Sequence, residues 1–221
     1  MVVSSSKQVV LDKWVSATWE RFVEVANDDL YSDGRAYFDA GEMRIEMASL
    51  GVGHSRQNSV VSNVITLFAA CKDMDITSYT NGSFHQEGEK EFQPDIAFYI
   101  GEGAKYLPPQ NNSPISIELC GLPNLVVEVG ASSLEDDLGR KRLMYERIGI
   151  EEYWVVDVEA KELIAFAIDG DSRSGRIWQS AVLPGLETSL VDEALQRSQT
   201  ENDGTITRWL MKTFSQDAAD S

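Results

Sequence analysis

The sequence predicts an α/β fold: a mixed sheet flanked by helices, entered through an N-terminal region of helix and β-hairpin. Three observations lead there. Two nearly all-apolar runs, 124–129 and Glu152–Asp157, read as strands covered on both faces. The segment between them opens on Ser132 or Ser133 as a helix cap, carries Glu135, Asp136 and Asp137 in its first turn, and stops at Gly149. Strand, helix, strand within about 30 residues is a βαβ unit, hence a parallel pair of strands. Third, 35–47 bends at Asp39-Ala40-Gly41, and its second arm alternates polar and apolar residues as a half-buried hairpin strand does.

The remaining elements follow from local pattern. Residues 14–26 carry apolar positions at helical spacing, and 54–71 is a helix with a core-facing side (Val60, Val61, Val64, Ile65, Phe68) despite its β-branched content. Residues 76–79 and 91–100 read as strands separated by a polar turn around Asn81-Gly82, with His85 in that turn and no functional weight on it. The stretch 101–121, rich in Pro, Asn and Ser, is a long loop of the kind that often touches substrate. Residues 163–168 and 177–182 extend the sheet as antiparallel edge strands, and 206–214 is a closing helix. The expected division is an N-terminal helical arm (1–34), one α/β domain (35–215) and a frayed acidic tail (216–221).

Composition narrows the function. An apolar fraction of 43% and five Trp belong to a folded chain. No apolar stretch reaches the roughly 18–20 residues of a membrane span. The start Met1-Val2-Val3-Ser4-Ser5-Ser6-Lys7-Gln8 lacks the basic-then-apolar order of a signal peptide. Cys71 and Cys120 make neither a CxxC nor a zinc spacing, so a reducing cytoplasm is expected. The net charge of −17 argues for a solvated acidic surface. Nucleic-acid binders are usually basic over the contact face. Any such face here is local, and Arg140-Lys141-Arg142 with Arg147 is the best candidate.

The chemistry lies in two acids placed within apolar strands. Glu128 sits in Leu125-Val126-Val127-Glu128-Val129, and Asp95 in Gln93-Pro94-Asp95-Ile96-Ala97-Phe98-Tyr99-Ile100. A buried carboxylate is paired, protonated or bound to a metal. Two such acids on neighbouring strands can hold Mg2+ or Mn2+, with waters and a substrate phosphate completing the shell. Lys141, on the helix after the Glu128 strand, can reach back to polarise a water or steady a phosphate. Asp137, Lys141 and Tyr145 are spaced four apart, so Asp137 can orient Lys141. His54, near a helix start, is a candidate phosphate contact or proton shuttle. Each residue has a plainer reading. Asp95 can serve a turn, Glu128 an ion pair with Lys141 or an arginine, Asp137 the helix dipole, Lys141 solvent, His54 local structure and Tyr145 the core.

Taken in order, Gln93-Pro94-Asp95-Ile96-Ala97, Leu125-Val126-Val127-Glu128-Val129, Asp137-Leu138-Gly139-Arg140-Lys141-Arg142, Tyr145, Gly149 and Glu152-Tyr153-Trp154-Val155-Val156-Asp157 resemble the Uma-type family of putative restriction endonucleases. That family is similar to the broader PD-(D/E)xK nuclease superfamily, so the resemblance implies that the domain 35–215 is restriction-endonuclease-like. The resemblance spans about 39–167, including Gly41 and His54. It implies a metal-dependent endonuclease acting on nucleic acid, DNA in the first instance, with Asp95 and Glu128 as metal ligands. It also makes a homodimer plausible, with the strands around 163–168 as its support. The chain departs from the pattern at Gly130, where an ExK motif has its lysine, and Lys141 is the natural substitute. It departs again in the first hairpin strand, where Ala36 or Tyr37 stands in place of a glutamate. The rivals are a non-catalytic binding module that keeps the fold and a metal-dependent hydrolase of small phosphate esters.

Overall fold

The computed structural model describes residues 9–47 and 51–217. The helix expected over 14–26 does not start at Trp14. Val15–Ser16 (β1) pairs with the hairpin at Met43 and Glu42, and the helix α1 (Trp19–Ala26) starts only after Thr18, whose Oγ1 accepts from the Arg21 amide. The hairpin is β2 (Arg35–Asp39) and β3 (Glu42–Glu46), with Arg35 opposite Glu46. Ala40 and Gly41 both take positive φ at the bend. The long helix α2 (Val52–Cys71) follows, then β4 (Ile76–Thr80) and β5 (Phe84–Gln86), so His85 lies in a strand rather than a turn.

The expected strand 91–100 is two strands in two different sheets, β6 (Lys90–Phe92) and β7 (Ile96–Ile100). Pro94 lies at the crossing, where a residue without an N–H cannot continue a ladder. The loop 101–121 contains β8 (Ile115–Ser116) and the short helix α3 (Ile117–Cys120). After β9 (Leu125–Gly130) come α4 (Leu134–Asp136), a π turn over Asp137–Lys141, and α5 (Arg142–Ile148), which Gly149 ends with positive φ. Then β10 (Glu152–Asp157), β11 (Glu162–Ile168) and β12 (Ser174–Ile177) complete the strands. Two helices close the described chain: α6 (Thr188–Arg197), which the sequence pattern had not suggested, and α7 (Asp203–Asp217). From residue 218 the expected acidic tail lies outside the described residues.

The larger sheet has the order β12-β11-β10-β9-β7-β4, with β9 and β10 parallel and the other neighbours antiparallel. The second sheet, β1-β3-β2-β6-β5-β8, is built on the hairpin. β12 pairs with β11 at 165–168, so the edge of the sheet on that side is β12 and not the apolar strand 163–168. One face of the larger sheet packs on α2, α6 and α7 through Val64, Phe68, Val127, Trp154, Leu195 and Leu210. The other packs on α5 and the second sheet through Tyr37, Phe92, Val126, Tyr145 and Tyr153. Every residue of β9 is buried, as a strand sandwiched between two layers must be.

Candidate active site

Side chains alternate along β9, so Leu125, Val127 and Val129 face the α2 layer while Val126 and Glu128 face α5 and the hairpin sheet. The antiparallel register of β7 against β9 places Ile96 opposite Val127, which brings Asp95 level with Glu128. Both carboxylates are 1% exposed. Asp95 Oδ2 accepts from the Val129 amide at 2.8 Å, and Oδ1 lies 2.7 Å from Arg35 Nη1 and 3.0 Å from His54 Nε2. Glu128 Oε1 accepts from the Tyr145 hydroxyl at 2.8 Å. Its Oε2 has no hydrogen-bond partner among the described residues.

Lys141 is fully buried beside these acids. Its Nζ lies 3.0 Å from Asp137 Oδ1, 3.1 Å from Glu46 Oε2 and 3.6 Å from Glu128 Oε2, and 4.7 Å from the centre of the Tyr37 ring. Asp137 and Lys141 bound the π turn, a helical irregularity frequent at functional sites. Ser133 Oγ donates to Asp137 Oδ2 at 2.7 Å and fixes the far side of that carboxylate. The structure thus brings Asp95, Glu128, Lys141, Asp137, His54 and Tyr145 into one buried cluster.

Two of its members were not singled out in the sequence. Glu46, from the second hairpin arm, places a buried carboxylate in this cluster, 3.1 Å from Lys141 Nζ. Its cross-strand partner Arg35 points its guanidinium between Asp95 and Glu128, with Nη1 3.8 Å from Glu128 Oε2. The sequence signal was the pairing itself: an arginine and a glutamate opposed at the open end of a hairpin. Gly130 also has a physical reason. A Cβ there would meet Asp137 Oδ2 at 2.9 Å and Leu134 Cα at 3.0 Å, so the lysine position of an ExK motif is closed by the helix that carries Lys141.

The proposed basic patch is engaged by acids and by an aromatic ring, with Arg147 still 42% exposed. Arg140 pairs with Asp39 and Glu42, Arg147 with Asp39, Lys141 is interior, and Arg142 lies over the Phe166 ring. These contacts tie the helix to the hairpin. Burial alone does not mark a functional acid either. Glu152 is fully buried, yet Ser180, Trp154 and the amides of Ala181 and Val182 satisfy both its oxygens, a structural role.

Electrostatics separate the acids. Burial pushes the Glu128 carboxyl up to about 8, opposed by Lys141 and reinforced by Asp95 and Asp137. Burial likewise raises Asp137 against the pull of Lys141. Burial would also raise Asp95, but the His54 contact, Arg35 and the Val129 amide hold it below the usual carboxylate range. Glu46 is held low against burial by Lys141, Arg35 and Arg44. Lys141 is raised well above an ordinary lysine, because Glu128, Tyr37, Asp137 and Glu46 outweigh its burial.

A pH dependence follows. Folded metal-free protein keeps a proton on Glu128 that the unfolded chain releases above about 4.5, so stability falls as pH rises from about 4.5 to about 8. Glu91, pushed up to about 7 by burial and by Glu87, acts in the same direction. The expected result is a Tm that declines over this window in wild type and declines less in Glu128→Gln. Identical slopes in thermal melts of the two proteins would show that Glu128 is ionised throughout.

The sequence resemblance implies a divalent metal, and the donor set bears on it. Among the described residues no three His, Cys, Asp or Glu side chains converge closely enough to enclose an ion. The cluster offers a pair, Asp95 and Glu128, with one carboxylate oxygen unbonded. Hard carboxylate oxygens, one or two in number, are what Mg2+ takes from protein when water and phosphate supply the rest. The residues fit a two-carboxylate site.

A model of the Uma2 family, described as a putative restriction endonuclease, matches residues 19–202. No curated protein matches the chain. Among solved structures, the chain is similar to a putative nuclease belonging to DUF820 from Anabaena variabilis, with 13% identity, a TM-score of 0.54, and coverage of 80% of this chain and 98% of that one. At that identity the likeness is one of fold.

Proposed function

The chain belongs to the Uma2 family of putative restriction endonucleases, and from that premise we propose that it is a nuclease hydrolysing nucleic-acid phosphodiester bonds with Mg2+ or Mn2+ held by Asp95 and Glu128. The observation that carries the reading is the facing of these two buried carboxylates, with Glu128 Oε2 unbonded and Lys141 Nζ 3.6 Å from it. When bound, the cation would act as a Lewis acid toward the phosphodiester. The rest is the work of the chain's own residues. The Val129 amide and His54 fix Asp95, and the Tyr145 hydroxyl fixes Glu128. Lys141 keeps its proton, so it serves as a fixed positive charge against the developing charge on phosphate, not as a base. Asp137 and Glu46 are positioning residues that hold it there.

The test is calorimetric titration of Mn2+ into the protein, together with cleavage of a labelled duplex and a single-stranded oligonucleotide in Mg2+ and in Mn2+. Metal binding with metal-dependent cleavage supports the proposal. Metal binding with turnover of nucleotide esters alone would make the protein a small-phosphoester hydrolase.

One observation favours a non-catalytic reading: Arg35 Nη1 already stands between Asp95 Oδ1 and Glu128 Oε2. A cation binding there displaces the guanidinium, which is 13% exposed at the rim of the cluster. Arg35→Gln is therefore expected to bind Mn2+ about tenfold more tightly than wild type, roughly one lost charge–charge contact. Tight binding by Arg35→Gln and none by wild type would show that the arginine has replaced the metal, and would sink the nuclease proposal for this chain. Equal affinities would show that the guanidinium does not compete.

A further inference from the structure

The cluster continues into a groove of about 550 Å3 between α2 and the end of β4. One wall is the outer face of α2, with Ser55, Asn58, Ser59, Ser62 and Thr66 at one-turn spacings; the other includes Thr80. No Asp, Glu, Lys or Arg is among its described lining residues. A quarter of the whole chain is charged, yet Arg56 is the one such residue in the twenty of α2, and it is paired with Asp203. The solvent face of a surface helix ordinarily carries Glu, Lys or Arg, which favour the helix over Ser, Asn and Thr. Here helix propensity gives way to a face of neutral hydrogen-bonding groups.

A second, independent observation ties this face to a ligand. His54 lines the groove at its active-site end, is 5% exposed, and neither of its ring nitrogens has a hydrogen-bond partner among the described residues. Nε2 lies 3.0 Å from Asp95 Oδ1, so the ring joins the groove wall to the acid pair while its polar atoms stay unsatisfied. The opposite wall is joined to the same acid, since the Asn81 amide donates to the Asp95 carbonyl at 3.0 Å.

Resting on the nuclease reading, we infer that this groove is the track for the sugar-phosphate backbone of the nucleic-acid strand, bound by neutral hydroxyl and amide groups and led to Asp95 past His54. Hydroxyl and amide side chains are ordinary phosphate and sugar contacts. In a chain of net charge −17, with Arg140 and Arg147 engaged by Asp39, what a polyanion needs beside the carboxylates is a face free of acids. Recognition of this kind releases few counterions, so affinity depends weakly on salt.

The experiment measures anisotropy of a short fluorescein-labelled oligonucleotide, single- and double-stranded, with Ca2+ present, whose looser coordination supports binding. The proteins are wild type, Ser59→Glu/Ser62→Glu and Ser59→Ala/Ser62→Ala, each titrated with Mn2+ alongside. Both glutamates suit a helix surface, so folding is kept. The expected result is roughly tenfold weaker binding by the glutamate pair, the scale of two like-charge contacts through water. The alanine pair loses a few-fold, and Mn2+ binding is unchanged in both. Wild-type affinity should change by less than about tenfold between about 50 and 200 mM salt, against about 10³–10⁵ for a basic face making 6–10 phosphate contacts. Undiminished binding by the glutamate pair, or a steep salt dependence, would overturn the groove assignment and leave the nuclease reading standing. Mn2+ binding without any oligonucleotide binding by wild type would overturn both.

Discussion

Glu128→Gln and Asp95→Asn are each expected to remove Mn2+ binding in calorimetry and to lower metal-dependent cleavage by about 1,000-fold or more. A bound cation supplies several kcal/mol of transition-state stabilisation, and each 1.36 kcal/mol is tenfold in rate. The two variants differ in what they do to the fold. Glu128 carries a proton near neutrality in the metal-free protein, so glutamine reproduces the neutral, hydrogen-bonded group that Tyr145 already contacts. Its melting temperature at pH 7 should equal that of wild type or exceed it. Asp95 is held ionised by His54 and Arg35, so asparagine leaves a half-buried arginine with one fewer counter-charge and costs some stability. Glu128→Gln is therefore the cleaner probe. If it folds, and still cleaves in Mn2+ within a few-fold of wild type, the two-carboxylate centre is wrong.

Lys141→Met is expected to cost stability as well as activity. The methionine fills much of the lysine's volume, but Glu46, Asp137 and Glu128 lose the cation they share at 3.1, 3.0 and 3.6 Å. Removing one partner of a buried ion cluster costs about 3–5 kcal/mol. For a chain of this size that is a fall in Tm of roughly 10–15 °C. The loss also has a pH signature. Without Lys141 the neighbouring carboxyls bind protons more readily, so the deficit relative to wild type should shrink as pH falls toward about 5. A deficit that stays constant with pH would mean that Lys141 matters through packing alone. Cleavage should fall even below the melting range, because the fixed charge beside Glu128 is gone.

Much of the central unit was legible because its signals are local. An acid inside Leu125-Val126-Val127-Glu128-Val129 has few physical explanations, and the capped helix between two covered strands fixes a parallel pair whatever surrounds it. The strand 152–157 took its expected bounds. Other elements were set by partners far along the chain. Helical spacing over 14–26 was overridden at Val15–Ser16 because the hairpin edge offered a ladder. The run 91–100 divided at Pro94 because its two halves pair in different sheets. Local apolarity alone could not show that division.

The sequence by itself determined the α/β class, the βαβ unit and the pair Asp95 and Glu128, since each depends on periodicity or on the cost of burying charge in an apolar strand. Only the tertiary structure decided what surrounds that pair. Glu46 and Arg35 enter because the hairpin sheet packs against the face of β9 that bears Glu128, across 82 and 93 residues of chain. In the basic run at 140–142, Arg140 is taken up by Asp39 and Glu42 of the same hairpin and Lys141 is buried, while the neighbouring Arg147 pairs with Asp39 at the surface. Sequence pattern fixes which face of an element is buried; which charges meet across the buried face is fixed by how the layers dock.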